Sequence, residues 1–169
     1  FDTLAVTSIL QDPDGWIWAG SLNGVYRFDP SLTRIERFAL ERRGGASTQN
    51  WVSSLLRERS GAMWVGTLWG LNRFDPATPP IGFLGHALDD GNGLSGGLIL
   101  QIFEDGSGDI WLGSLGGGLS RVNRKSGHVQ RLRGGSGAYA LPHDWVWSIA
   151  DGGPGHLWVG TQDGLGRLS

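Results

Sequence analysis

Four kinds of residue in this sequence could do chemistry on a ligand: its histidines, its carboxylates, its arginines and an unusual number of tryptophans. The four histidines, His86, His128, His143 and His156, never approach the His-x-x-x-His spacing that brings two imidazoles to one metal. There is no Cys, which excludes disulfides, thiolate–metal sites and Cys nucleophiles. No Gly-x-Ser-x-Gly elbow is present. Gly116-Gly117-Gly118 and Gly134-Gly135 precede no helix pattern, so they lack the helix N-terminus that cradles a phosphate. Asp89-Asp90-Gly91-Asn92-Gly93 has the residue types of a Ca²⁺ loop but neither its spacing nor its closing Glu. No nucleophile, base and orienting group stand in related positions, so the expectation is a protein with no catalytic residue, no metal and no cofactor.

Binding remains. Nine Trp stand beside only two Tyr. Trp51 and Trp145 come just before strand-like runs, Trp69 sits in a turn, and Trp147 follows Trp145 by two residues. Exposed aromatics at such places suit a sugar face or an apolar ligand. Their other use is to fill gaps between packed elements. Polar groups accompany them, and the expected ligand-binding set is Trp51, Trp69, Trp145, His143, Asp144, Asn50 and Asp163. His128 and His156 lie in turns and read as plain surface.

The elements that must position these residues follow from a repeat. Asp12–Gly20, Glu58–Gly66, Asp105–Gly113 and Gly152–Gly160 align, with Trp at 18, 64, 111 and 158 and therefore steps of 46, 47 and 47. Gly20, Gly66, Gly113 and Gly160 keep those steps, as do Val6, Val52, Ile99 and Val146. A second mark, Gly-apolar-x-Arg, runs Gly24 to Arg27, Gly70 to Arg73, Gly118 to Arg121 and Gly164 to Arg167, with one extra Gly in the third copy. In the first copy Val6–Gln11 reads as strand A, Asp14-Gly15 as a hairpin turn, Trp16–Gly20 as strand B, Asn23-Gly24 as a turn and Val25–Phe28 as strand C. Asp29-Pro30 breaks the chain before strand D, Ile35–Leu40. Strand D recurs as Ile81–Leu84 and Val129–Leu132.

Four antiparallel strands in about 45 residues make one blade of an all-β propeller. The blades fall near 1–45, 46–91, 92–139 and 140–169, and the last lacks its strand D, so the chain is expected to hold about three and a half blades. That number cannot close a ring, which needs roughly four to eight. The chain therefore reads as a piece of a larger propeller, or as one that closes by self-association through open blade edges. Trp18, Trp64, Trp111 and Trp158 belong to the packed layer between blades, and the Gly after each marks a close backbone approach or a positive φ. The repeated Arg27, Arg73, Arg121 and Arg167 suit pairing with carboxylates near strand A, or an acidic ligand.

Gly at 30 of 169 residues beside 39% hydrophobic residues fits short strands and tight turns. A formal charge of −2 offers no attraction to nucleic acid. No run approaches about 18 apolar residues and no signal peptide precedes Phe1, so any membrane attachment would come through a longer parent chain. The long connections Glu41–Asn50, Gly85–Gly97 and Arg133–Asp144 are further places for function.

The repeats resemble the two-component regulator propeller repeat of bacterial hybrid sensor kinases and some diguanylate cyclases. Val146-Trp147-Ser148-Ile149, Gly155-His156-Leu157-Trp158-Val159-Gly160-Thr161 and Gly164-Leu165-Gly166-Arg167 carry the likeness, with Gly66-Thr67 and Gly70-Leu71-Asn72-Arg73-Phe74-Asp75-Pro76 in the second copy. The first copy departs at Ala19-Gly20-Ser21 and Gly24-Val25. The resemblance implies a ligand-sensing periplasmic segment that passes its signal to a transmitter. With the exposed aromatics, the expected ligand is a small molecule such as a carbohydrate, and the alternative is a scaffold that binds a protein partner through the same face. Two enzyme likenesses are weaker. A streptogramin-lyase-like propeller needs a His and Glu cluster around a metal, and a sialidase needs several Arg and a Tyr, for which only Tyr26 and Tyr139 are available.

Overall fold

The computed structural model describes residues 5–38, 40, 50–75, 78–85, 93–135 and 140–169, with the main chain alone at 74 and 78–85. The Asp89–Gly93 motif except Gly93, most of the connections at 41–50 and 85–97, Tyr139 and the expected blade boundaries at 45/46, 91/92 and 139 lie outside the described residues.

The named elements among the described residues are all strands. Four sheets are antiparallel meanders. The first holds β1 (Val6–Gln11), β2 (Ile17–Ser21), β3 (Gly24–Phe28) and β4 (Ile35–Phe38). The second holds β5 (Val52–Arg57), β6 (Met63–Thr67), β7 (Gly70–Asp75) and β8 (Thr78–Gly85). The third holds β9 (Ile99–Glu104), β10 (Ile110–Ser114), β11 (Gly118–Val122) and β12 (Val129–Leu132). The fourth holds β13 (Val146–Asp151), β14 (Leu157–Thr161) and β15 (Gly164–Leu168). These are the expected propeller blades, strands A to D in order, with strand B starting one residue later than the sequence suggested. Strand D of the second blade starts earlier than expected and runs through Pro79-Pro80. As the outermost strand it can spare the N–H groups that proline lacks.

The chain divides into two compact units, Phe1–Phe83 and Leu84–Ser169. In the first, Trp18, Val25 and Leu40 pack with Val52, Met63 and Val65 of the next blade. In the second, Trp111 and Leu119 pack with Val146, Ile149, Leu157 and Val159. Each strand B is therefore apolar on both faces, because a neighbouring blade covers one of them.

The glycine after each repeated Trp has a definite cause. None of Gly20, Gly66, Gly113 and Gly160 has a positive φ. A Cβ on Gly20 would lie 2.4 Å from Ser8 Oγ and 2.6 Å from Val52 Cγ1 of the next blade, and one on Gly113 would lie 2.7 Å from Val146 Cγ1. Close approach, not backbone conformation, excludes a side chain.

A carboxylate, buried in the first two blades and half-buried in the third, closes the first hairpin of three blades. Asp12 Oδ1 accepts the N–H groups of Asp14 and Trp16, while Oδ2 accepts Trp18 Nε1–H at 3.1 Å. Glu58 accepts Trp64 Nε1–H at 2.6 Å, Arg73 Nη2–H at 2.7 Å and the Ser60 hydroxyl. Asp105 accepts the N–H groups of Ser107 and Asp109 and Trp111 Nε1–H at 2.8 Å. The repeated Arg lies directly across strands B and C from the Trp in all four blades, with its guanidinium 5.0–5.7 Å from the indole centroid. It pairs with the strand-A carboxylate in the first two blades, as expected, but with Asp109 in the third.

The fourth blade departs. Gly152 stands where the others have Asp12, Glu58 and Asp105. Trp158, expected in the packed layer, is 39% exposed, and no strand of a following blade lies against it among the described residues.

Burial opposes ionisation of Glu58, but hydrogen bonds from Arg73, Ser60 and Trp64 outweigh it and hold the carboxyl below its usual range. Asp105 is lowered in the same way against its burial, by Ser107, Trp111 and the backbone of Asp109 and Ser107. A depressed folded-state pKa contributes stability that is present above the ordinary carboxylate range and lost as the pH falls through it. The thermal midpoint is expected to drop between pH 6 and 3, and Glu58→Gln should start lower and lose less across that interval. An equal pH response in wild type and variant would contradict this role for Glu58.

Candidate functional site

The B–C turns and the connections leading into strand A lie at one end of each blade, and the expected ligand residues gather there. In the first unit, Asn50 Oδ1 accepts the N–H of Leu40 at 3.1 Å, tying the entry of β5 to the segment that follows β4. Trp51 and Trp69 are each about two-fifths exposed. Trp69 N–H donates to Thr67 Oγ1, which sets the turn. Among the described residues no ring contact joins these two indoles.

The second unit brings more together. Asp144, two repeat steps from Asn50, has the same tying role. Its carbonyl accepts Gly116 N–H and Gly118 N–H at 3.1 and 2.9 Å, and its Oδ1 accepts Gly134 N–H at 2.6 Å. Arg133 Nη1 lies 3.6 Å from its Oδ2. Asp144 thus holds the entry of β13 against the B–C turn of the third blade. It is a positioning residue. Trp145 bridges to Leu115, and its carbonyl accepts Gln162 N–H at 3.0 Å.

On this frame three rings stand edge to face. His143 and Trp145 have centroids 5.7 Å apart at 87°, and Trp145 and Trp147 have centroids 6.2 Å apart at 86°. His143 Nδ1 accepts Trp145 N–H at 2.9 Å, so in the neutral ring Nε2 carries the proton and offers a donor. Trp147 Nε1–H donates to Gln162 Oε1 at 3.1 Å, which fixes the indole and aims the amide NH₂ of Gln162 outward as a donor. Trp145 and Trp147 are 42% and 46% exposed. Asp163 is exposed in the adjoining turn.

Trp147 stands out because of a bulge. Strand A slips register by one residue at its start, between Val6 and Ser8, Val52 and Ser54, and Val146 and Ser148. Thr7 and Ser53 use the bulge position to donate to the carbonyls of Gly20 and Gly66 across the hairpin. An indole is too large for that place. Trp147 projects to Gln162 instead, and Gln162 itself replaces Leu22, Leu68 and Leu115 of the other repeats. Gln162 was missed in the expected set, although its departure from the repeat is a signal visible in the sequence.

Among the described residues no group of three or more His, Asp or Glu stands where it could hold a metal ion, and no helix is long and apolar enough to cross a membrane.

Four-stranded meanders built on a recurring Trp, Gly and Arg define this chain as β-propeller blades. Residues 1–23, 93–116 and 140–163 match the two-component regulator propeller family, so these stretches are similar to its repeat. No curated protein matches the chain. Among solved structures it is similar to the extracellular domain of BT4673 of B. thetaiotaomicron, assigned as a hybrid two-component system, at 25% identity and a TM-score of 0.80 over 96% of this chain. It is also similar to the extracellular domain of BT3049 from the same organism, at 18% identity and a TM-score of 0.74 over 97% of this chain. The chain spans only 21% and 20% of those two proteins. A catalytically inactive virginiamycin B lyase from Staphylococcus aureus shares the fold at 18% identity and a TM-score of 0.69, with 98% of this chain and 53% of the lyase covered.

Asp144→Ala leaves the N–H of Gly134 without its acceptor and is expected to cost about 1–3 kcal/mol in urea unfolding. It should also broaden the Trp145 and Trp147 indole resonances. An unchanged stability with sharp indole signals would show that Asp144 does not hold this frame.

Proposed function

We propose that this chain is part of the ligand-sensing propeller of a bacterial signalling receptor, that it works in the periplasm, and that it binds a carbohydrate on the His143–Trp145–Trp147 surface. The observation that carries the reading is this group of three edge-to-face rings, with two indoles exposed and flanked by fixed polar groups. The apolar C–H face of a pyranose fits the open indole faces, and its hydroxyls find the Gln162 amide, His143 Nε2 and the Asp163 carboxylate. A cluster of this kind binds without reacting, since no nucleophile and base converge on it. The receptor setting is supported by the matched propeller repeats and by the likeness to the extracellular domain of BT4673.

The test is a titration with a panel of neutral oligosaccharides, followed by the Trp145 and Trp147 indole signals in NMR. One sugar is expected to give a saturable response at these two indoles, and Trp145→Ala should weaken it by roughly tenfold, the scale of one stacked aromatic. Gln162→Leu, which restores the repeat residue, should weaken binding while leaving the fold intact. A panel that leaves the indole signals unmoved, or a response that Trp145→Ala does not alter, would refute the reading.

A further inference from the structure

The opposite end of the third blade carries a different site. Its A–B turn (105–109) and C–D turn (123–128) border a cleft of about 290 Å³ lined by Asp109, Arg121, Asn123, Ser126, His128 and Gln130. No apolar side chain is among them. Asp109 is buried and fully engaged: Oδ2 accepts Arg121 Nε–H and Nη2–H at 2.9 and 2.8 Å, and Oδ1 accepts the N–H of Arg124 at 3.3 Å. Asn123 Nδ2 donates to both oxygens at 3.3 Å.

Asp109 therefore takes the side-on edge of the Arg121 guanidinium. The end-on edge, Nη1–H with the second Nη2–H, faces no carboxylate among the described residues. The first blade shows what belongs there. Arg27 has Glu36 directly opposite it on β4, with Nη1 3.8 Å from Glu36 Oε2. In the third blade the residue directly opposite Arg121 is Gln130, an amide of nearly the same shape without the charge. The place of an in-chain carboxylate has become an open cleft, and its amide and the His128 ring add donors beside the guanidinium. Position 109 points the same way. The repeat puts Trp16, Ala62 and His156 there, and only the third blade supplies a carboxylate that orients the arginine.

We propose that this cleft is an oxyanion site, in which a small carboxylate, sulfate or phosphate group docks on the end-on edge of Arg121 where Glu36 stands in the first blade. An arginine can hold two oxyanions at once, one on each edge, and the in-chain partner preorganises it for the second. Exposed Lys125 in the bordering turn adds attraction at longer range.

The full chain is titrated with sodium acetate, sulfate and phosphate at ionic strength held constant with chloride, and the Arg121 Nε and Gln130 Nε2 resonances are followed. Saturable shifts that chloride does not reproduce are expected. Saturation by acetate alone identifies an organic acid, and saturation by sulfate or phosphate identifies a tetrahedral ion; either upholds the site. Gln130→Glu places the carboxylate of the first blade in the cleft and is expected to weaken oxyanion binding by roughly tenfold or more, the scale of a charge-assisted contact, with an equal or higher thermal midpoint. Gln130→Met, which removes only the amide donors, should weaken it by a smaller factor. Shifts that chloride reproduces, no shift at all, or unchanged binding in both variants would overturn the proposal.

Discussion

The blade depends on one carboxylate at the end of strand A. Three tight requirements meet at the A–B hairpin: the turn N–H groups need acceptors, the strand-B indole needs a partner for its N–H once a neighbouring blade covers it, and the strand-C guanidinium needs a counter-charge. Asp12 and Asp105 meet the first two, Glu58 meets the second and takes the Ser60 hydroxyl in the turn, and the third is met in the first two blades. A buried indole N–H without an acceptor costs about as much as a lost hydrogen bond, so the Trp can lie in the packed layer only because the carboxylate is there. Gly20 and Gly113, two residues after the Trp, complete the arrangement by letting Val52 and Val146 of the next blade approach closely.

With the packing handled by a fixed set of residues, the remaining positions are free to differ from blade to blade. The differences fall at the two ends. At one end the bulge position is a small hydroxyl residue in the first two blades and an indole in the fourth, and the turn residue facing it changes from Leu to Gln. At the other end the third blade exchanges Glu36 for Gln130 and brings in Asp109. Both candidate sites are places where one repeat breaks the pattern at two positions that come together, by a hydrogen bond between Trp147 and Gln162 in one and around Arg121 in the other.

The fold was largely legible in the sequence because its causes are local and repeated. The steps of 46 and 47 residues, the alternation along each strand and the Gly at each turn are all short-range signals. What the repeat did not reveal depends on contacts between blades or across a hairpin. Trp158 matches Trp18 letter for letter, yet it is exposed, because burial comes from a neighbour and not from the residue. Asn50 and Asp144 stand out in the sequence as ligand candidates, but their bonds to the N–H groups of Leu40 and Gly134 require knowing which segment lies beside them. Gln162 carried a signal, its departure from three leucines, that only becomes meaningful once Trp147 is seen to bond to it.

A carboxylate at the end of strand A is what allows the repeated indole to be buried. Hydrogen exchange of the four repeated indole N–H groups, resolved by NMR at neutral pH, tests it most directly. Trp18, Trp64 and Trp111, each bonded to its Asp or Glu, are expected to exchange slowly, and Trp158, with Gly152 in place of the carboxylate, to exchange fast. Similar exchange rates at all four indoles would contradict it.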